Sequence, residues 1–142
     1  MAPTPVLRTL ACRIALAAGL MSGATVAAAA AVPFSATFAG ESSIVEVLDP
    51  GVPIVRVQTT ASGSGVLGIV GYRSTDVVNF ATGAGTGTNR FVDDDGDELW
   101  GSFTVQLVPT ADPATFDLIG DMVFTGGTGS FAGATGTGGF TG

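Results

Sequence analysis

The stretch "LWGSFTVQLV", Leu99 to Val108, alternates with period two, and that alternation constrains the fold more than any other feature of the chain. Successive side chains of a strand point to opposite faces. Leu99, Gly101, Phe103, Val105 and Leu107 therefore share one face, and Trp100, Ser102, Thr104, Gln106 and Val108 the other. "FDLIGDMVFTG" repeats the pattern, with Phe116, Leu118, Gly120, Met122 and Phe124 opposite Asp117, Ile119, Asp121, Val123 and Thr125. The windows "PFSATFAG", "SSIVEV", "PIVRVQTT", "GVLGIVGYRS" and "VVNFATGAG" are rich in β-branched and aromatic residues and are bounded by Gly, Pro, Asp or Ser, as strands are. After residue 31 no window places apolar residues at i, i+3, i+4 and i+7 over eleven positions, and glycine is too frequent there for helix interiors. The chain reads as all-β.

Turn signals fall where a meander needs them: "DPG" at 49–51, "SGSG" at 62–65, "GAGTGT" at 83–88, "DDDG" at 93–96 and "TADPA" at 110–114. Their spacing predicts about eight antiparallel strands. A sheet of that size closes into a barrel or folds into a sandwich, because an open one exposes long unpaired edges. Glycines within the strands, such as Gly68, Gly71, Gly101 and Gly120, suit a tightly curved barrel. The expectation is an eight-stranded antiparallel β-barrel of lipocalin-like, calycin-type architecture following an N-terminal signal peptide.

The signal peptide is expected over residues 1–31. Arg8 and Arg13 precede the apolar run "IALAAGLMSGATVAAAAA", which ends in a small-residue site at Ala29 to Ala31. Its length also suits a retained membrane helix over Ile14 to Val32, although its alanines and glycines make it weakly hydrophobic. Cleavage near Ala31 leaves a single domain of 111 residues, 32–142, placed outside the cytoplasm and not embedded in a membrane.

That domain carries twelve acidic residues against Arg56, Arg73 and Arg90 and has no lysine. Such a balance excludes a nucleic-acid partner, since phosphate binding needs clustered Lys or Arg. The one cysteine, Cys12, lies in the leader, so the domain has no disulfide or thiol chemistry. With no histidine either, the usual proton shuttle and the strongest nucleophile are both missing. No catalytic set is identifiable, and no cofactor is expected.

Two motifs invite a stronger reading. "GSGVLG", Gly63 to Gly68, has the G-x-G-x-x-G spacing of a dinucleotide turn, but the following "IVGYRST" reads as a strand rather than the required helix. In "VDDDGDELWG", the alternating Asp93, Asp95 and Asp97 resemble the start of a calcium loop. Glycine then stands at the fourth position rather than the sixth, and no glutamate stands at the twelfth. The alternative is a solvated hairpin turning on Asp95-Gly96 as a type I′ pair.

The closing segment "FTGGTGSFAGATGTG", Phe124 to Gly138, resembles the glycine-rich signature of the allene oxide cyclase-like and dirigent-like barrel families, in their bacterial secreted branch. Gly126, Gly127, Thr128, Gly129, Phe131, Ala134 and Gly136 carry the resemblance. "GDELWG", Gly96 to Gly101, is similar to a second element of those families. The resemblance implies an eight-stranded barrel with an apolar lumen. It transfers no catalytic residue, because fold alone does not fix function. The signature's expected role is structural: Gly126, Gly127 and Gly129 make a positive-φ turn after a strand ending at Phe124, Phe131 folds back to plug the barrel, and the next strand begins near Gly136. The chain's end at "GGFTG" is shorter than the final strand of relatives.

The expected lumen residues are Phe103, Phe116, Phe124, Tyr72 and Arg56. In "GYRS" only one of Tyr72 and Arg73 can point inward. Three functions stay open: a secreted barrel binding a small apolar ligand, an isomerase of cyclase or dirigent type needing a polar group deep in the barrel, and an extracellular structural or interaction module acting as a homo-oligomer.

Overall fold

The computed structural model describes residues 6–17 and 32–142, the first segment by its backbone alone. From Val32 onward the chain is a continuous antiparallel meander: β2 (Val32–Asp49), β3 (Ile54–Gly65), β4 (Ile69–Asn79), β5 (Ala84–Asp93), β6 (Glu98–Pro109), β7 (Phe116–Gly127) and β8 (Thr135–Thr141). Each strand pairs with the next. Among the described residues the only helical pieces are single 3₁₀ turns at Val66–Gly68 and Gly129–Phe131, and no helix is long and apolar enough to cross a membrane.

The sheet is strongly curled. β2 and β7 stand five strand spacings apart, about 24 Å in a flat sheet, yet the Phe34 and Phe124 ring centroids are 6.0 Å apart. The seven strands do not close by themselves, since β2 and β8 share no ladder. Between them lies β1 (Val6–Ala17), antiparallel to both: Leu10 pairs with Phe38, and Ile14 with Phe34 and Gly138. The expected cleavage site at Ala29 to Ala31 lies outside the described residues.

Sequence windows and strands differ in instructive ways. "PFSATFAG" and "SSIVEV" are not two strands but one, because the ladder to β3 runs through "GESS", Gly40 to Ser43, without a break and continues past two register shifts, Ile44/Glu46 and Val47/Asp49. The count after residue 31 is therefore seven. "VVNFATGAG" is instead divided by a turn, where Asn79 accepts from the Ala81 amide through Oδ1 at 2.9 Å and from the Gly83 amide through its carbonyl at 2.7 Å. The acidic hairpin is not a type I′ turn, which needs positive φ at both central residues. Among the described non-glycine residues only Leu67 has positive φ, so the left-handed position falls on Gly96 alone, after a turn closed by the Gly96 amide on the Asp93 carbonyl at 3.1 Å.

One end of the curl is packed solid. Phe34, Phe38, Phe91 and Phe124 are at most 2 % exposed and, with Tyr72, form a network of rings with centroids 5.1 to 6.0 Å apart. Ile69, Leu99, Met122 and Phe131 complete this core. Phe131 is buried as expected for a plug, on the 3₁₀ turn between β7 and β8. The signature is stitched to the start of β6: the Thr128 amide bonds to the Glu98 carbonyl at 2.8 Å, and the Glu98 amide to Thr128 Oγ1 at 2.8 Å. Thus "GDELWG" and "GGTGSF" form one junction. Two details of the expectation change. β7 runs on to Gly127 rather than ending at Phe124, and only Gly126 and Gly129 of the three glycines have positive φ. Gly127 serves close approach, since a Cβ there would lie 2.6 Å from that of Phe131.

Candidate functional site

The other end of the curl is hollow. A cavity of about 230 Å³ is bounded by the second half of β2, the first half of β3, the second halves of β4 and β6, and the ends of β7 and β8. Its wall is mostly apolar, from Val57, Val78, Phe103, Val105, Leu107, Phe116, Leu118 and Phe140. Period two produces this wall directly. On β6, the residues Phe103, Val105 and Leu107 turn in while Trp100, Ser102 and Thr104 stay out. Its mouth is flanked by exposed apolar residues, with Ile44 50 % and Phe80 38 % exposed and the Phe80 ring 6.2 Å from that of Phe116.

Glycines make the room. β5 at this level offers Gly85 and Gly87, and a Cβ on Gly87 would sit 2.6 Å from the Cβ of Asp76. On β7, a Cβ on Gly120 would lie 2.3 Å from the Phe140 ring and 2.4 Å from the Thr104 carbonyl. Small residues on one strand admit large or polar side chains from the next.

The polar part of the lining is concentrated on β4. Tyr72, Ser74, Asp76 and Val78 share the inner face, and all four are buried. Ser74 Oγ donates to Asp76 Oδ1 at 3.4 Å, a long bond for a carboxylate. Burial disfavours the charged form and pushes the Asp76 carboxyl up to about 6, the Ser74 hydroxyl pulling the other way. Across the β4–β5 ladder from Ser74 stands Asn89, 2 % exposed. Its Nδ2 reaches Met122 Sδ at 3.8 Å, and its Oδ1 has no hydrogen-bond partner. Among the described side chains that line the cavity, Asp76 and Tyr72 are the ionisable ones.

Of the lumen residues expected from sequence, Phe103, Phe116 and Tyr72 line the cavity. Phe124 faces inward but belongs to the solid end. Arg56 is a correction. It alternates with Val55 and Val57, points away from the cavity, and pairs with Glu46 Oε2 at 2.5 Å with 42 % of its side chain exposed. A charge at that place keeps its hydration by facing out. Asp76, Ser74 and Asn89 were not among the expected residues, although the parity of Tyr72 assigns 74 and 76 to its face.

The acidic turn is organised around its own backbone. Asp93 Oδ1 accepts from the Asp95 and Asp97 amides at 3.0 and 2.8 Å. The carboxylates of Asp93, Asp94 and Asp95 lie within 4.8 Å of one another, whereas Asp97 leaves the group. Its Oδ2 accepts from the Ser130 amide at 3.0 Å and the Ser130 hydroxyl at 2.8 Å, and these bonds hold its carboxyl below the usual aspartate range. The Asp93, Asp95 and Asp97 set is therefore not brought together as a metal site, because the third member ties the hairpin to the glycine-rich junction. Asp117 and Asp121 face outward.

Comparison of the chain with protein-family models, curated proteins and solved structures finds no match.

Proposed function

We propose that the protein is an exported binding protein of the allene oxide cyclase-like and dirigent-like barrel type, and that it holds a small apolar ligand in its cavity. In this reading residues 1–31 direct export and are cleaved near Ala31, and the curled sheet of the seven remaining strands, β2 to β8, encloses the ligand. The carrying observation is the contrast between the two ends of one sheet. Rings fill one end completely, while the other keeps about 230 Å³ within an apolar wall. Ligand pockets combine an apolar lining with a few placed polar groups, and here those groups are Ser74, Asp76 and Tyr72. The volume is under the roughly 300–1,000 Å³ of pockets for drug-sized molecules, which favours a small ligand.

Native mass spectrometry of protein taken from its producing cells is expected to show a bound small molecule, and the empty protein to bind Nile red. Leu107→Trp, which fills the wall, is expected to abolish dye binding in a folded protein. No bound mass together with no dye binding refutes the reading, as does dye binding indifferent to Leu107→Trp.

A second reading, an isomerase of cyclase or dirigent type, is favoured by one observation: a carboxyl with its pKa pushed to about 6 faces an apolar cavity, as acid–base groups do. A turnover that disappears in Asp76→Asn, with dye binding intact, would select it.

A further inference from the structure

The cavity has an imbalance that its described side chains do not correct. Asp76 is 8 % exposed, yet among the described residues its carboxylate is met by one long hydroxyl bond, from Ser74. It is an acceptor short of donors. A buried carboxylate is costly unless a cation or several hydrogen bonds compensate it. The domain's three arginines do not serve: Arg56 pairs with Glu46, Arg90 with Glu98 Oε2 at 3.4 Å, and Arg73 is exposed on the outer face of β4.

Resting on the ligand-binding reading above, we infer that the cavity selects a small apolar amine, its ammonium group seated against the Asp76 carboxylate and Ser74 and its chain lying along Phe103, Leu107 and Phe116. An ammonium supplies both missing elements, positive charge and three donors. Its apolar chain takes the remaining volume. An alcohol would supply one donor and no charge. A carboxylic acid would bring a second acceptor and, once ionised, a like charge beside Asp76.

The surroundings of Asp76 make the selection readable by pH. Across the ladders it faces Val57 on β3 and Gly87 on β5, and the cavity it opens into is lined by Ser42 of β2, Thr59 of β3, Phe103, Val105 and Leu107 of β6, Phe116 and Leu118 of β7 and Phe140 of β8, side chains that do not titrate, and by Gly142. Tyr72 lies on the same strand as Asp76, two positions beyond Ser74 on the same face. On β1 the register sets Arg8 opposite Gly40.

The test is displacement of Nile red from the purified protein by octylamine, octanol and octanoate, at pH 8 and pH 5. Octylamine is protonated at both, so the change reports the protein. At pH 8 octylamine is expected to displace the dye about tenfold better than octanol, the scale of one charge-assisted contact, with octanoate weakest. At pH 5, where Asp76 takes up its proton, that advantage falls to about twofold or less. Asp76→Asn should show the pH 5 ratio of amine to alcohol displacement at both pH values, each ratio being read against the variant's own dye affinity. Should that variant not fold, the wild-type pH comparison alone decides. Equal displacement by amine and alcohol at pH 8 overturns the inference and leaves ligand binding standing, as does an amine preference that survives in Asp76→Asn. A preference for octanoate overturns it too, and assigns the cavity to a cation. Failure of the dye to bind refutes the ligand-binding reading itself.

Discussion

Replacing Phe131 with alanine tests whether the glycine-rich signature is part of the fold's core or a loose end. The ring is 4 % exposed and sits on a 3₁₀ turn clamped to β6 at Thr128–Glu98 and Ser130–Asp97. Transferring a buried phenylalanine ring to water costs about 1.5–3 kcal/mol. The void left behind adds about 24 cal/mol per Å³ that fails to collapse. The clamped backbone limits collapse, because the Thr128–Glu98 and Ser130–Asp97 hydrogen bonds hold the turn in place. The expected total is about 3–5 kcal/mol, a large part of the roughly 5–15 kcal/mol that stabilises a domain. Urea unfolding followed by far-UV circular dichroism and by the single tryptophan, Trp100, reads it. With a slope of about 2 kcal/mol per molar, the midpoint should fall by roughly 2 M. Ser130→Ala supplies the comparison. It removes a hydroxyl bond of 2.8 Å to Asp97 but leaves the ring, and should cost far less, because that bond is exposed to water. A loss below about 0.5 kcal/mol for Phe131→Ala, or one equal to that of Ser130→Ala, refutes the role of the ring as an anchor.

Two further outcomes follow from the hollow end. Asp76 has its folded pKa raised, to about 6 from an ordinary 3.8. The protonated form therefore contributes stability that is full below about pH 4 and lost as pH rises through 6, amounting to roughly 2–3 kcal/mol. Asp76→Asn should accordingly melt higher than the parent at pH 8 and alike at pH 4, and a gap of equal size at both would contradict the assignment. Gly120→Ala drives a methyl into the Phe140 ring and the Thr104 carbonyl and should cost about 1–3 kcal/mol by thermal melting, whereas Gly71→Ala meets only Val92 Cβ at 3.8 Å and should be neutral or slightly stabilising. Equal effects at the two glycines would show that space at Gly120 is not what the residue provides.

Period two made the walls of the cavity readable in advance, and its failures have identifiable causes. Phe103 and Phe116 were legible because their strands alternate without interruption. Asp76 was not, because aspartate is a poor strand former and reads as punctuation between "GVLGIVGYRS" and "VVNFATGAG". In the structure it continues the alternation of Tyr72 and Ser74, and Gly87 on the adjacent strand supplies the space it needs. That space is a cross-strand property, and single-strand alternation does not contain it. Arg56 was misplaced for the opposite reason, since attention to its charge outweighed its parity with Val55 and Val57 on the other face. The solid end was invisible for a third reason. Five rings from β2, β4, β5 and β7 meet there, and nothing local to any strand specifies which end of the curl they fill.

The place of β1 couples export to the closure of the sheet. β2 and β8 are each antiparallel to β1, so they run parallel to each other. If cleavage near Ala31 removes β1, the sheet is left with two edges, the β2 stretch that faced Val6–Leu16 and the β8 stretch Thr135–Thr141. Any direct seam between them is a parallel one, with slanted and slightly weaker bonds than the antiparallel ladders it replaces. The solid core does not depend on that seam, because its rings come from strands that remain. Hydrogen exchange on the chain with and without residues 1–31 should therefore show faster exchange confined to Val32–Ser42 and Thr135–Thr141, with β4, β5 and β6 still protected. Loss of protection throughout would make β1 an integral stave and contradict a core that stands without it. Unchanged exchange at both edges would mean that another strand has taken the place of β1.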